Sequence, residues 1–110
     1  MVIKNETKKT TLSESAVFAK TFKQKAFGLL LAGKTDAMIF QTRFGIHTFF
    51  MKYPIDVLVL DEDNKIAVLK KKLKQNRIFV WNPKYNTVIE LSEGIIEKTQ
   101  TTYADTVLLL

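Results

Sequence analysis

Asp56 and His47 are the two residues whose chemistry the sequence leaves most open. Asp56 stands between Ile55 and Val57 at the head of the apolar run Ile55–Leu60. A carboxylate there costs several kcal/mol unless it is paired or hydrogen-bonded. One reading makes it a structural acceptor of backbone N–H groups from the turn after Pro54. The other makes it a general base or ligand acceptor in a pocket, where a perturbed pKa would mark it. His47 is the only histidine. It could serve in acid–base chemistry, although a hydrogen-bonded histidine at a strand edge is the commoner use.

The surrounding stretch, His47 to Asp61, adds Phe49, Phe50 and Met51, which suit either core or a binding surface. Trp81 beside Asn82-Pro83 sits where an indole often stays half exposed and could stack on a ligand. Asp61, in Asp61-Glu62-Asp63-Asn64, reads as turn chemistry. One histidine, no cysteine and scattered carboxylates do not compose a metal site. Only four glycines are present, and no nucleophile elbow, phosphate loop or dinucleotide fingerprint appears among them. No cofactor is therefore expected. Whether the chain is an enzyme stays open, with the balance against it.

These residues must be positioned by a small fold. A chain of 110 residues, 46% hydrophobic and 25% charged, fits one globular domain, 1–110. No disulfide is possible, the N-terminus turns polar within four residues, and no apolar run reaches the ~20 residues of a membrane span. The expectation is a soluble, cytoplasmic protein with no membrane partner. The net charge of +6 comes almost entirely from lysine, with only Arg43 and Arg77 besides. Base and phosphate recognition favour arginine, so the excess reads first as solubility. The basic patch Lys70, Lys72, Lys74 and Arg77 reads as a strand end protected against edge pairing. It argues mildly for a monomer and keeps nucleic acid as a possible but less favoured partner.

Phe22, Ala26, Leu29, Leu30 and Gly33 recur at helical spacing behind a capping Thr21, which predicts one clear α-helix. The remaining apolar runs are short and rich in β-branched and aromatic residues. They include Met38–Phe40, Thr48–Met51, Ile55–Leu60, Ile78–Trp81, Val88–Leu91 and Thr106–Leu110. Asp61–Asn64 joins Ile55–Leu60 to Lys65–Leu69 as a hairpin, with Leu69 and Leu73 on one face and Val68 and Lys70 on the other. Ser92 caps a short helical turn through Ile96. The fold expected is mainly β: a small β-sandwich or partly open barrel of about seven short strands, one helix packed on it, and that helical turn.

The chain resembles domain-of-unknown-function family 192, a group of small bacterial and archaeal proteins, with an archaeal flavour. The resemblance rests on KAFGLLLAG at Lys25–Gly33, HTFFMKYPIDVLVLDEDNKI at His47–Ile66, VIELSEG at Val88–Gly94, and Ala104-Asp105. It spans roughly residues 12 to 110 and implies a compact β-rich domain with a helix on the sheet. It implies no activity, because the family has none established. Motif positions carried over are Gly28, His47, Met51, Pro54, Asp56, Asp61, Gly94 and Asp105, of which Gly28, Pro54, Asp61, Gly94 and Asp105 are expected to be structural. Lys25 stands where arginine is usual, Phe50 where tryptophan is common, and Ala104 where glycine usually precedes Asp105. The last departure puts a tight turn at Asp105 in doubt.

The functional expectation is a non-catalytic or accessory module binding a small or extended ligand in a shallow pocket near His47, Met51, Asp56 and Trp81. The alternatives are a hydrolase or lyase using Asp56 or His47, and a nucleic-acid-associated protein using Lys70 to Arg77.

Overall fold

Short β-branched runs pair into three sheets. The structure, a computed structural model, describes residues 1–19, 36–43, 45–49 and 51–110. The helix expected from Thr21 to Gly33, with Gly28, lies outside those residues. The described residues form ten strands: β1 (Ile3–Asn5), β2 (Thr10–Ser13), β3 (Val17–Phe18), β4 (Ala37–Gln41), β5 (Ile46–His47), β6 (Ile55–Leu60), β7 (Ile66–Leu73), β8 (Ile78–Phe79), β9 (Thr87–Ser92) and β10 (Val107–Leu109). The single helical turn among the described residues, α1, is Ile95–Lys98. The ten exceed the seven expected because β1, β2 and β3, of three, four and two residues, add to the runs named above.

The strand order is β10-β1-β2 in one sheet, β3-β4-β9-β6-β7 in the second, and β5-β8 in a two-stranded ribbon. All pairings are antiparallel except β3 with β4. The five-stranded sheet begins at β3 and ends at β7, so among the described residues no barrel closes.

Every residue of β6 is buried, because apolar side chains cover both faces of the central sheet. On one face Ala37, Ile39, Leu58, Leu60, Ile89 and Leu91 pack with Ile3, Leu12 and Val107 of the three-stranded sheet and with Ile96 of α1. On the other, Met38, Phe40, Ile55, Val57, Val59 and Val88 pack with Ile46, Phe79 and Trp81 of the ribbon region. The ribbon is thus held to the sheet by the inward side chains of β5 and β8.

Three expectations are corrected. Leu69 and Leu73 do not share a face, since Leu69 packs in the first cluster and Leu73 in the second. The register of β6 on β7 slips between Ile55–Leu73 and Val57–Lys70. Lys72 adopts a left-handed φ of 54° inside this β-bulge, and an extra residue reverses the side-chain alternation. The strand expected at Thr48–Met51 ends at His47. Thr48 is instead spent on the turn after β7: its Oγ1 donates to the Lys74 carbonyl at 2.6 Å and accepts the Arg77 N–H at 2.9 Å. Ser92 does not cap α1, because it belongs to β9, where it pairs with Ile55.

Candidate functional site

Asp56 accepts main-chain N–H groups, though none comes from the turn after Pro54 where they were expected. Its side chain is wholly buried, at 0% exposure. Oδ1 accepts the Lys72 N–H at 2.9 Å from the bulge, and Oδ2 accepts the N–H groups of Gly94 at 3.1 Å and Ile96 at 2.9 Å. The first N–H groups of a helix have no partner inside it, and here a carboxylate from a neighbouring strand supplies one. Gly94, at φ 93°, turns the chain from β9 into α1 at the residue before the helix, a conformation that costs glycine little. The carboxylate therefore has no exposed surface, and its oxygens are held by three main-chain donors.

His47 lies elsewhere. It pairs with Ile78 across the ribbon, its ring stacks on Phe49 with centroids 5.3 Å apart, and its Nδ1 accepts the Phe49 N–H at 3.3 Å. Trp81 is half-buried in the core on the far side of β8, with its Nε1–H donating to the Tyr85 carbonyl at 2.8 Å. Its polar handle is therefore occupied internally. Met51 packs partly buried against the same cluster. The four residues expected around one pocket are thus distributed: His47 on the surface, Met51 and Trp81 against the core, Asp56 inside it.

What the ribbon does present is an apolar groove of about 270 Å³, lined by Gly45, Ile46, His47, Phe49, Ile78 and Val80. Period-two alternation sends Phe79 inward and leaves Ile78 and Val80 outward, at 70% and 64% exposure, beside Phe49 at 39%. Of the residues lining this groove, the sequence singled out His47 alone as a candidate. The signal available was the alternation Ile78-Phe79-Val80-Trp81, whose two faces cannot both be core in a two-stranded ribbon.

Gly45 lines the groove where the chain passes close to β8. Its φ is 139°, and a Cβ built there would lie 2.5 Å from the Phe79 carbonyl oxygen and 2.9 Å from Val80 Cγ1. Gly45→Ala is expected to cost about 2 kcal/mol or more, from backbone strain and the clash together. Denaturant unfolding reads that loss; a midpoint equal to wild type would show that β5 and β8 separate without penalty.

The expected basic patch is a second recess, about 450 Å³, lined by Lys70, Lys72, Lys74 and Arg77 over Leu73, Ile78 and Phe79. Ile78 lines both recesses. Among the described residues no cluster of three or more potential metal-ligating side chains occurs, and no helix is long and apolar enough to cross a membrane. Asp61 behaves as the sequence suggested: its Oδ1 accepts the N–H groups of Asp63 and Lys65 at 2.8 and 3.0 Å.

Asp105 forms a separate polar knot. Its carboxylate accepts Asn5 Nδ2 at 2.9 Å, the Lys8 ammonium at 3.0 Å and the Thr102 N–H at 3.0 Å. Burial pushes its pKa up, but the bonds from Asn5, Lys8 and Thr102, with the charge of Lys8, outweigh that and hold it below the ordinary value. The turn before it survives without glycine, since Ala104 takes φ 67° itself.

Comparison with known proteins agrees with the resemblance read from the motifs. The model of domain-of-unknown-function family 192, described as an uncharacterized ACR, matches residues 2–109. A UPF0127 protein of Pyrococcus abyssi is 37% identical over 100 residues, spanning 86% of this chain and 85% of its own. A UPF0127 protein of Pyrococcus horikoshii is 29% identical over 110 residues, spanning 94% and 95%. A crystal structure of a protein of unknown function from Novosphingobium aromaticivorans superposes with a TM-score of 0.74 at 12% identity, covering 98% of this chain and 82% of that one. That likeness concerns the fold alone.

Proposed function

The chain belongs to domain-of-unknown-function family 192, and we propose that it is a non-catalytic binding domain whose contact surface is the outward face of the β5–β8 ribbon. One observation carries the reading. Ile78, Val80 and Phe49 expose their apolar side chains side by side around His47. Contiguous exposed apolar surface rimmed by polar groups marks interaction sites. Catalysis by Asp56 lacks support, because its oxygens already hold three N–H groups away from solvent. A hydrolase using His47 would need a polar partner side chain within hydrogen-bond reach. Among the described residues its own hydrogen bond is to main-chain Phe49.

The test is a screen of apolar fragments and short extended peptides by amide and methyl NMR. Binding should perturb Ile46, His47, Phe49, Ile78 and Val80 together, and Ile78→Ser should weaken it by about tenfold, the loss of one well-covered aliphatic side chain. Perturbations that map elsewhere, or binding indifferent to Ile78, would end this reading.

A further inference from the structure

The groove does not stand alone. Next to it, across Ile78, four cationic side chains surround a recess in which no carboxylate participates among the described residues. Lys70, Lys72 and Lys74 come from β7 and the residue after it, and Arg77 precedes β8 directly. The bulge in β7 is what gathers them. By reversing the alternation it keeps Leu73 in the core, while Lys70, Lys71, Lys72 and Lys74 all remain exposed. Charge repulsion among four neighbouring cations has a cost; an anionic partner would remove it.

We infer that the ribbon is a docking edge for an anionic lipid surface, with Ile78, Val80 and Phe49 entering the interfacial layer and Lys70, Lys72, Lys74 and Arg77 meeting the headgroups. This deepens the reading of the ribbon as a contact surface and rests on it. Two observations select a lipid surface over other anionic partners. Ile78 and Val80 are mostly exposed, so they project from the surface and do not line a depth that would enclose a small ligand. They are also aliphatic, whereas single-stranded nucleic acid binds by stacking bases on aromatic platforms; among the described residues lining this groove the rings are those of His47 and Phe49. Long cationic side chains flanking exposed aliphatics suit the membrane interface, where lysine and arginine stems lie along apolar surface with their charges outward. Docking on a membrane surface needs no spanning segment.

The test uses flotation of the full chain with vesicles of phosphatidylglycerol and phosphatidylcholine in equal parts, against vesicles of phosphatidylcholine alone. Binding is expected to the anionic vesicles only and to fall with added salt. The pair K70E/K74E should lower partitioning by at least about 25-fold, at roughly fivefold per cation removed. The pair I78S/V80S, placed at exposed positions so that folding is retained, should lower it by about tenfold or more. Circular dichroism on both variants checks the fold. Absence of binding to anionic vesicles overturns the lipid inference. Vesicle binding untouched by I78S/V80S overturns it too, because that is nonspecific adsorption by charge. Tighter binding to a single-stranded oligonucleotide than to vesicles, lost in K70E/K74E alone, would replace lipid by nucleic acid. If vesicles fail while fragments still map to Ile78 and Val80 by NMR, only the lipid inference falls; if both fail, the contact surface itself is wrong.

Discussion

Replacing Asp56 with alanine is expected to remove about 3–5 kcal/mol of stability, a large share of the roughly 5–15 kcal/mol that a domain of this size possesses. The deletion strands three buried donors at once: the N–H of Lys72 in the bulge and those of Gly94 and Ile96 at the start of α1. Each buried, unsatisfied N–H costs about 1–3 kcal/mol, with overlap because they share one site. Asp56→Asn is the sharper probe, since it keeps shape and one acceptor. Its single oxygen can serve either the Lys72 side or the Gly94–Ile96 pair, while the amide –NH₂ must then point at a donor. The pair offers two bonds against one, so the oxygen should stay with α1 and the bulge should open. Urea unfolding should show a loss of about 2 kcal/mol, and hydrogen exchange should accelerate at Lys72 before Ile96. Should both variants unfold within about 0.5 kcal/mol of wild type, the margin of an ordinary surface substitution, the carboxylate is not what joins these elements.

The same residue shows what the sequence discloses and what it hides. A lone carboxylate in an apolar strand announces that it must be satisfied, because the desolvation penalty leaves no other way to bury it. Who satisfies it is not written locally. The donors lie 16, 38 and 40 residues further along the chain, and only the antiparallel arrangement of β7, β6 and β9 brings them to one point. The larger strands were legible for a local reason, since β-branched and aromatic runs bounded by Asp61–Asn64 or Asn82–Asn86 favour extended pairing. The bulge at Lys72 was not, because nothing in a run of lysines distinguishes an extended residue from a left-handed one. Missing it assigned Leu73 to the wrong face. His47 stood out as a candidate by its uniqueness, while Ile78 and Val80, which line the same groove, sit 31 and 33 positions away. They were read as ordinary strand residues because the ribbon that exposes them is only two strands wide. At Trp81 the partner is local: an indole needs a hydrogen-bond partner when covered, and the carbonyl of Tyr85 four residues on provides it.

Acid should unfold the protein partly through Asp105. The folded-state pKa of this carboxylate lies below its ordinary value, so between the two values the unfolded chain binds more protons than the native one. Stability from this group is therefore complete above the ordinary aspartate value of about 3.9 and is lost as pH falls through the lower, native value. The cause is structural. The Asp105 carboxylate draws together Asn5 at the end of β1, Lys8 in the following turn, and Thr102, while Asn5 Nδ2 also reaches Thr101 Oγ1 at 3.0 Å. Those contacts bridge nearly the whole chain length, and they hold the three-stranded sheet to the segment that leads into β10. Asp105→Ala is expected to cost about 2–3 kcal/mol at neutral pH, less than a fully buried ion pair, because Lys8 remains partly exposed and can be hydrated. Asp105→Asn should retain part of that stability through its carbonyl oxygen. In urea titrations at neutral pH and at about pH 3, both variants should lose the acid-dependent component that the wild type shows. Lys8→Met should lose only part of it, because the Asn5 and Thr102 bonds remain. Were wild type and Asp105→Asn to lose stability in parallel as pH falls, the acid sensitivity would belong to other carboxylates. The Asn5–Asp105 knot would then join the two ends of the chain by geometry alone, with its charge contributing nothing.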